Sequence, residues 1–273
     1  MTTTGFWPLA ALLLPLIAGC ATEPAVRHDA HPGILWVRSS AEFDALSLQA
    51  YGEARDDLAA KVQDQGWSAL PEQTGAAGLP PAIIFDVDET VVSNVDFQLT
   101  LVPPFSDAKL YAWAARTRAV AVPGVVEFAR AARELGVELF FITNRPCLPE
   151  LSDSDPCPHK AVTVQDIVEA GIPVSPERVM LSFEQPGWNK EKKNRRDLVA
   201  RDYRVIMLVG DDLGDFIACS RLRAVPPCNA GATQASRAGD TAKYREYWGN
   251  GWYILPNPMH GSWTSVLPAA DTE

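Results

Sequence analysis

The run IIFDVDET, residues 83–90, constrains this chain more than any other segment. Ala82 to Phe85 is continuously apolar, as a strand covered on both faces must be, and the polarity then switches abruptly to Asp86 and Asp88. In an extended backbone an i, i+2 spacing points both carboxylates the same way. Ligands of open α/β sheets sit beyond the carboxyl ends of the strands, so the pair is expected to project into a site.

Two further apolar runs end in the same manner. ELFFITNR closes on Thr143, Asn144 and Arg145, and RVIMLVGDDLGDF closes on Asp211, Asp212 and Asp215. Between them WNKEKKNRR supplies Lys190, Lys192, Lys193, Arg195 and Arg196. Taken in order, DVDET, TNR, KxxRR (Lys192 to Arg196), GDDLGDF and the late LPNPMHGSW resemble the haloacid dehalogenase superfamily, specifically the class C acid phosphatases and their lipoprotein 5'-nucleotidase branch. The resemblance spans about residues 82–263.

That resemblance implies a Mg²⁺-dependent phosphomonoesterase working through an aspartyl-phosphate. Asp86 is then the nucleophile and Asp88 the general acid and base. Thr143 holds a phosphoryl oxygen, and Lys192 offsets charge on the nucleophile and the transferring group. The metal falls to Asp86, the backbone carbonyl of Asp88 and Asp211, with Asp215 as an outer ligand or orienting group. A cation on Asp86 would keep it ionised while neighbouring negative charge raises the proton affinity of Asp88. Asp212 reads as a loop acid; Asn94 and Arg145 are within reach of the site but receive no role. Related nucleotidases carry a tyrosine in a late PNxxYG motif that stacks on the base. Here His260 stands in its place, so His260 and Trp113 are the candidate leaving-group contacts, with Tyr111, Trp252, Tyr253 and Trp263 as further aromatics.

Composition limits the partners. A net charge of −10 gives no general attraction for nucleic acid, so a phosphate-bearing small molecule must be held by local cations. The run from Lys190 to Arg196 is the local source, although Lys190 and Lys193 read as a solvated helix face. The four histidines show no metal-ligand spacing, and no GxSxG or phosphate-binding GxxxxGK[ST] loop is present.

Phe6 to Gly19 is apolar but short for a permanent membrane span, and it ends in LIAGC, which looks like a bacterial lipobox. Residues 1–19 are therefore expected to be a signal peptide, with Cys20 lipidated and the protein exported and anchored to a membrane, the outer one facing the periplasm. Four cysteines remain: Cys147, Cys157, Cys219 and Cys228. They allow three disulfide connectivities, and sequence separation favours Cys147 with Cys157 and Cys219 with Cys228.

Along the chain, residues 20–35 read as a tether and Glu42 to Gln65 as a helix, within an N-terminal segment of residues 20–78. Residues 79–265 alternate strands and helices, which implies a doubly wound parallel α/β sheet, a haloacid dehalogenase-like Rossmannoid core. Residues 93–122 form a small, mainly helical cap insert over the site. The competing reading is a catalytically silent surface lipoprotein that binds haem or a partner on the same fold. Retention of Asp86, Asp88, Thr143, Lys192 and Asp211 together argues against it.

Overall fold

The computed structural model describes residues 1–2 and 30–267, so Cys20 and residues 3–19 of the expected leader lie outside it. Five strands form one parallel sheet in the order β5-β4-β1-β6-β7, with β1 (Pro81–Phe85) at the centre. Its neighbours are β4 (Glu138–Pro146) and β6 (Arg204–Gly210); the outer strands are β5 (Val179–Ser182) and β7 (Trp252–Ile254). The three strands foreseen from IIFDVDET, ELFFITNR and RVIMLVG are thus adjacent. β7 was not foreseen: Trp252 and Tyr253, offered above as leaving-group aromatics, are buried strand residues.

The alternation along β1 explains why the sheet is covered twice. Ile83 and Phe85 belong to one apolar cluster, whereas Ala82 and Ile84 belong to the other. On the first face Phe85 stacks on Phe141, with ring centroids 5.4 Å apart, and meets Phe128 at 5.8 Å. Phe128 lies on α5 (Val125–Glu134) and packs in turn on Tyr51 of α2 (Ala41–Gln63). Burying each such ring is worth roughly 1.5–3 kcal/mol. The second face is covered by Val199 of α7 (Lys193–Asp202), Phe216 of α8 (Leu213–Phe216) and Trp252.

The N-terminal segment belongs to the first face. Part of the expected tether is helical, as α1 (His31–Ser39), because Ile34 and Val37 bury against the same core as α2. Ser40 caps the start of α2 by accepting from the Phe43 N–H. At its far end the buried Arg204 donates to the carbonyls of Lys61, Val62 and Asp64, groups that the last helical turn leaves without partners. Gly124, with φ +94°, lets α5 start directly against Tyr51; an added Cβ would lie 3.0 Å from the Tyr51 Cβ.

A short antiparallel pair, β2 (Val92–Ser93) with β3 (Val120–Ala121), closes the base of the cap. Between them lie α3 (Val95–Thr100) and α4 (Asp107–Ala114). The cap has its own aromatic core, in which Phe97 contacts both Phe105 and Trp113. Beyond β4 comes α6 (Pro158–Glu169), with Pro158 in its first turn. Disulfides join Cys147 to Cys157 and Cys219 to Cys228. A helix not foreseen, α9 (Gln234–Lys243), precedes β7.

Candidate active site

The carboxyl ends of β1, β4 and β6 converge. Asp86 follows β1 directly, its backbone N–H bonded to the Val209 carbonyl at 2.9 Å, so the nucleophile candidate is pinned to the neighbouring strand. Lys192 engages Asp86 Oδ1 and lies 2.6 Å from Asp215 Oδ1. Asp215 Oδ2 accepts from the backbone N–H groups of Asp211 (3.1 Å) and Asp212 (2.9 Å). This close approach requires Gly210, since a Cβ there would sit 2.4 Å from Asp215 Oδ2. Asp211 is held by Asn257 Nδ2 (2.7 Å) and Thr90 Oγ1 (3.3 Å).

Asp88 turns away from this cluster. Its carboxylate takes a two-pronged contact from Arg145, with Nη2 at 2.7 Å and Nε at 2.9 Å, and accepts from Asn94 Nδ2 at 2.7 Å. Thr143 Oγ1 donates to the other oxygen at 3.3 Å and accepts the Arg145 N–H at 3.0 Å. Arg145 and Asn94 had no role on sequence grounds, yet both grip Asp88. The signal available was their position: one ends the second apolar run, the other opens the cap.

The basic run is only partly a solvated face. Lys193 is the outward member, paired with Asp197 and Glu72. Lys190 reaches back to the Asn144 carbonyl at 2.7 Å and to Asp107 of the cap at 3.4 Å. Arg195 and Arg196 point inward because carbonyls there need donors. Arg195 serves Thr143 of β4, Met180 of β5 and Asn189, which ties those two strands to the segment before α7; Arg196 serves Gly214 and Asp215, which fixes α8 just beyond β6. One helix start therefore delivers Lys192 and braces two of the three strand ends. Asp212 is a structural acid: it caps α8 through the Gly214 N–H and binds Ser262.

Burial and neighbouring cations set the two acids of the pair apart. Burial pushes Asp86 up to about 7 against the opposing pull of Lys192, with Asp215 and Asp88 adding to the rise. Burial also acts to raise Asp88, but the Arg145 guanidinium and Asn94 outweigh it and hold that carboxylate at about 2. Among the protein's own groups Asp88 is thus the more acidic of the pair; the order expected from the sequence is the one with a cation on Asp86. Asp211 is raised, first by burial and then by Asp86 and Asp215.

The carboxylates of Asp86, Asp211 and Asp215 offer oxygens within 4.8 Å of one another, a hard-oxygen set suited to a divalent cation. The Asp88 side chain stands outside that set. His260, in the late motif, places Nε2 at 3.4 Å from the buried Glu89 and donates its backbone N–H to Asn257 Oδ1. Its imidazole is 40% exposed; Trp113, half-buried, packs on Phe97 in the cap. Trp263 donates from its ring N–H to the His260 carbonyl. A cavity of about 680 Å³ lies elsewhere, between Leu70, Lys193, Phe216 and Tyr244, and none of Asp86, Asp88, Asp211 and Asp215 lines it.

Comparison with known proteins agrees with this geometry. Two solved structures are similar over 86% of this chain and 86% of their own. One is the class C acid phosphatase from Bacillus anthracis, 25% identical with a TM-score of 0.67. The other is the same Bacillus anthracis enzyme with tungstate bound, at 26% identity and a TM-score of 0.67. The family model of the HAD superfamily, subfamily IIIB (acid phosphatase), matches residues 36–263. The chain belongs to that family of HAD acid phosphatases and is a phosphomonoesterase.

Proposed function

We propose that the protein is a Mg²⁺-dependent acid phosphatase that hydrolyses small phosphate monoesters through a phosphorylated Asp86. The observation that carries this is Lys192, set between Asp86 and Asp215, with Asp88 and Thr143 facing the same strand ends. The tungstate found in the Bacillus anthracis relative is a tetrahedral oxyanion of the phosphate type.

Asp86 attacks phosphorus; the P–O ester bond breaks and its electron pair leaves with the alcohol oxygen. Asp88 gives its proton to that oxygen. Water then attacks the acyl phosphate, Asp88 takes a proton from it, and Asp86 is released together with inorganic phosphate. The Arg145 pair favours the ionised form of Asp88 that the second step uses. For the first step, the negative charge of a phosphate dianion beside Asp88 raises its proton affinity. Thr143 and the Lys192 ammonium are positioned to hold phosphoryl oxygens.

Asp86 and Asp211 would hold the Mg²⁺, with Asp215 orienting both the Asp211 backbone and Lys192. Three crowded carboxylates against one ammonium fit such an ion. When bound it supplies charge neutralisation for the attacking carboxylate and the phosphoryl oxygens. Export and lipid anchoring at Cys20 complete the proposal, supported by LIAGC and by the even number of remaining cysteines.

The test is Asp86→Asn assayed on p-nitrophenyl phosphate with Mg²⁺ and with chelator. Turnover is expected to fall by at least about 10³-fold, since residues that act as a unit fail together. A near-normal rate would rule out the covalent route, and indifference to chelator would rule out the metal.

A further inference from the structure

Arg145 is one of the most deeply buried cations in the molecule, and its guanidinium is divided between two acids. Nε and Nη2 face Asp88, while Nη1 lies 2.5 Å from Asp166 Oδ2 and 3.4 Å from Thr163 Oγ1. Thr163 and Asp166 are i, i+3 on α6 and share a face of it. The Thr163 hydroxyl spends its proton on the His159 carbonyl at 2.8 Å, so it meets Arg145 as an acceptor. His159 in turn contacts the Pro146 carbonyl through Nδ1 at 3.1 Å, and the disulfide between Cys147 and Cys157 ties the same two chain segments. The start of α6 is therefore locked to the end of β4 on either side of Arg145.

Asp166 is only 4% exposed, and the chemistry described above does not use it. A buried carboxylate is costly, and charge balance does not require this one, because Arg145 already neutralises Asp88. What Asp166 adds is direction. A guanidinium is a rigid planar fork, so anchoring Nη1 fixes where Nε and Nη2 point. We propose that Asp166 is a positioning residue of this enzyme, acting through Arg145 to orient the Asp88 carboxylate toward the ester oxygen. The inference rests on the acid and base role given to Asp88 under the proposed function.

The test compares kcat/KM across phosphate monoesters from p-nitrophenyl to simple alkyl phosphates, for the full protein with Mg²⁺. Only basic leaving groups need a well-aimed proton, so Asp166→Asn is expected to lose roughly tenfold on alkyl esters and less than about twofold on p-nitrophenyl phosphate. Arg145→Lys, which has one nitrogen and cannot hold Asp88 through two while a third anchors on Asp166, is expected to show the same selective loss. The double variant is expected to be no worse than Arg145→Lys alone, because Asp166 acts only through Arg145. Equal losses across the series, no loss, or additive losses in the double variant would overturn the proposal. If Asp166→Asn does not yield folded protein, Asp166→Glu takes its place in the same cycle with the same expected selectivity. Asp88→Asn is assayed alongside: equal losses across its series would remove the acid role of Asp88, whereas a selective Asp88→Asn with an unselective Asp166→Asn overturns the positioning role alone.

Discussion

Lys192 Nζ lies 2.6 Å from Asp215 Oδ1 and also engages Asp86, so one buried ammonium serves two of the three clustered acids. Burial acts to lower the Lys192 pKa, but Asp215 and then Asp86 outweigh it and raise it. The charge is therefore secure over the working range of an acid phosphatase. Asp215 is the less conspicuous partner, since both of its oxygens are already taken, by Lys192 and by two backbone N–H groups.

Removing the ammonium should damage catalysis more than folding. Lys192→Met is expected to lower kcat by about 10²- to 10³-fold, the range for losing one preorganised group at developing charge. Lys192→Arg should not restore it, because the larger guanidinium does not fit the buried position in which the ammonium lies 2.6 Å from Asp215 Oδ1. Steady-state kinetics on both variants decides this, and recovery by arginine would show that only net charge matters.

The acid cluster makes stability depend on pH in a way that identifies its members. Asp86 is raised to about 7 in the fold, against about 4 for an ordinary aspartate. The native state therefore holds a proton that the unfolded chain has lost, and stability falls as pH rises from about 4 to about 7. Asp88 has the opposite sign. Held at about 2, it contributes stability above pH 4 that is lost as pH falls toward 2. Thermal melts in chelator should show Tm declining from pH 5 to pH 7.5, and Asp86→Asn should flatten that decline. A melt in chelator that rises over this interval would contradict the burial of Asp86.

The bridge from Cys147 to Cys157 closes a short loop beside the Arg145 network. Replacing both cysteines by serine should cost about 3 kcal/mol of stability on the loop-entropy account. Denaturant unfolding measures it, and mapping of non-reduced peptides should recover the pairs Cys147 with Cys157 and Cys219 with Cys228. Free thiols at all four positions would instead point to a reducing compartment.

His260 tests selectivity for the leaving group. Its imidazole is half-exposed and faces Glu89, which raises its pKa against the opposing effect of burial. Because stacking on one aromatic is worth about 1–3 kcal/mol, His260→Tyr should raise kcat/KM for nucleoside monophosphates roughly tenfold and leave small alkyl phosphates nearly unchanged. Equal effects on both substrates would remove His260 from the leaving-group pocket.

What the sequence alone determined was the chemistry at the strand ends. Continuous apolar runs stopping on Asp86, Thr143 and Asp211 announce buried parallel strands, because a strand covered on both faces can turn polar only where it leaves the sheet. Lys192 was located by the resemblance of KxxRR, Lys192 to Arg196, to the family pattern. Only the tertiary structure decided which polar residues face one another. Arg145 and Asp166 are 21 positions apart on different elements, and no local pattern distinguishes a surface helix acid from one that anchors a buried guanidinium. Arg195 and Arg196 entered only through the KxxRR match, yet the carbonyls of Thr143 in β4 and Asp215 in α8 draw both inward. The relative acidity of Asp86 and Asp88 likewise followed from burial and from Arg145, neither of which a one-dimensional spacing contains. Local periodicity reports whether a side chain is covered, but the partner that covers it is set by the packing of distant segments.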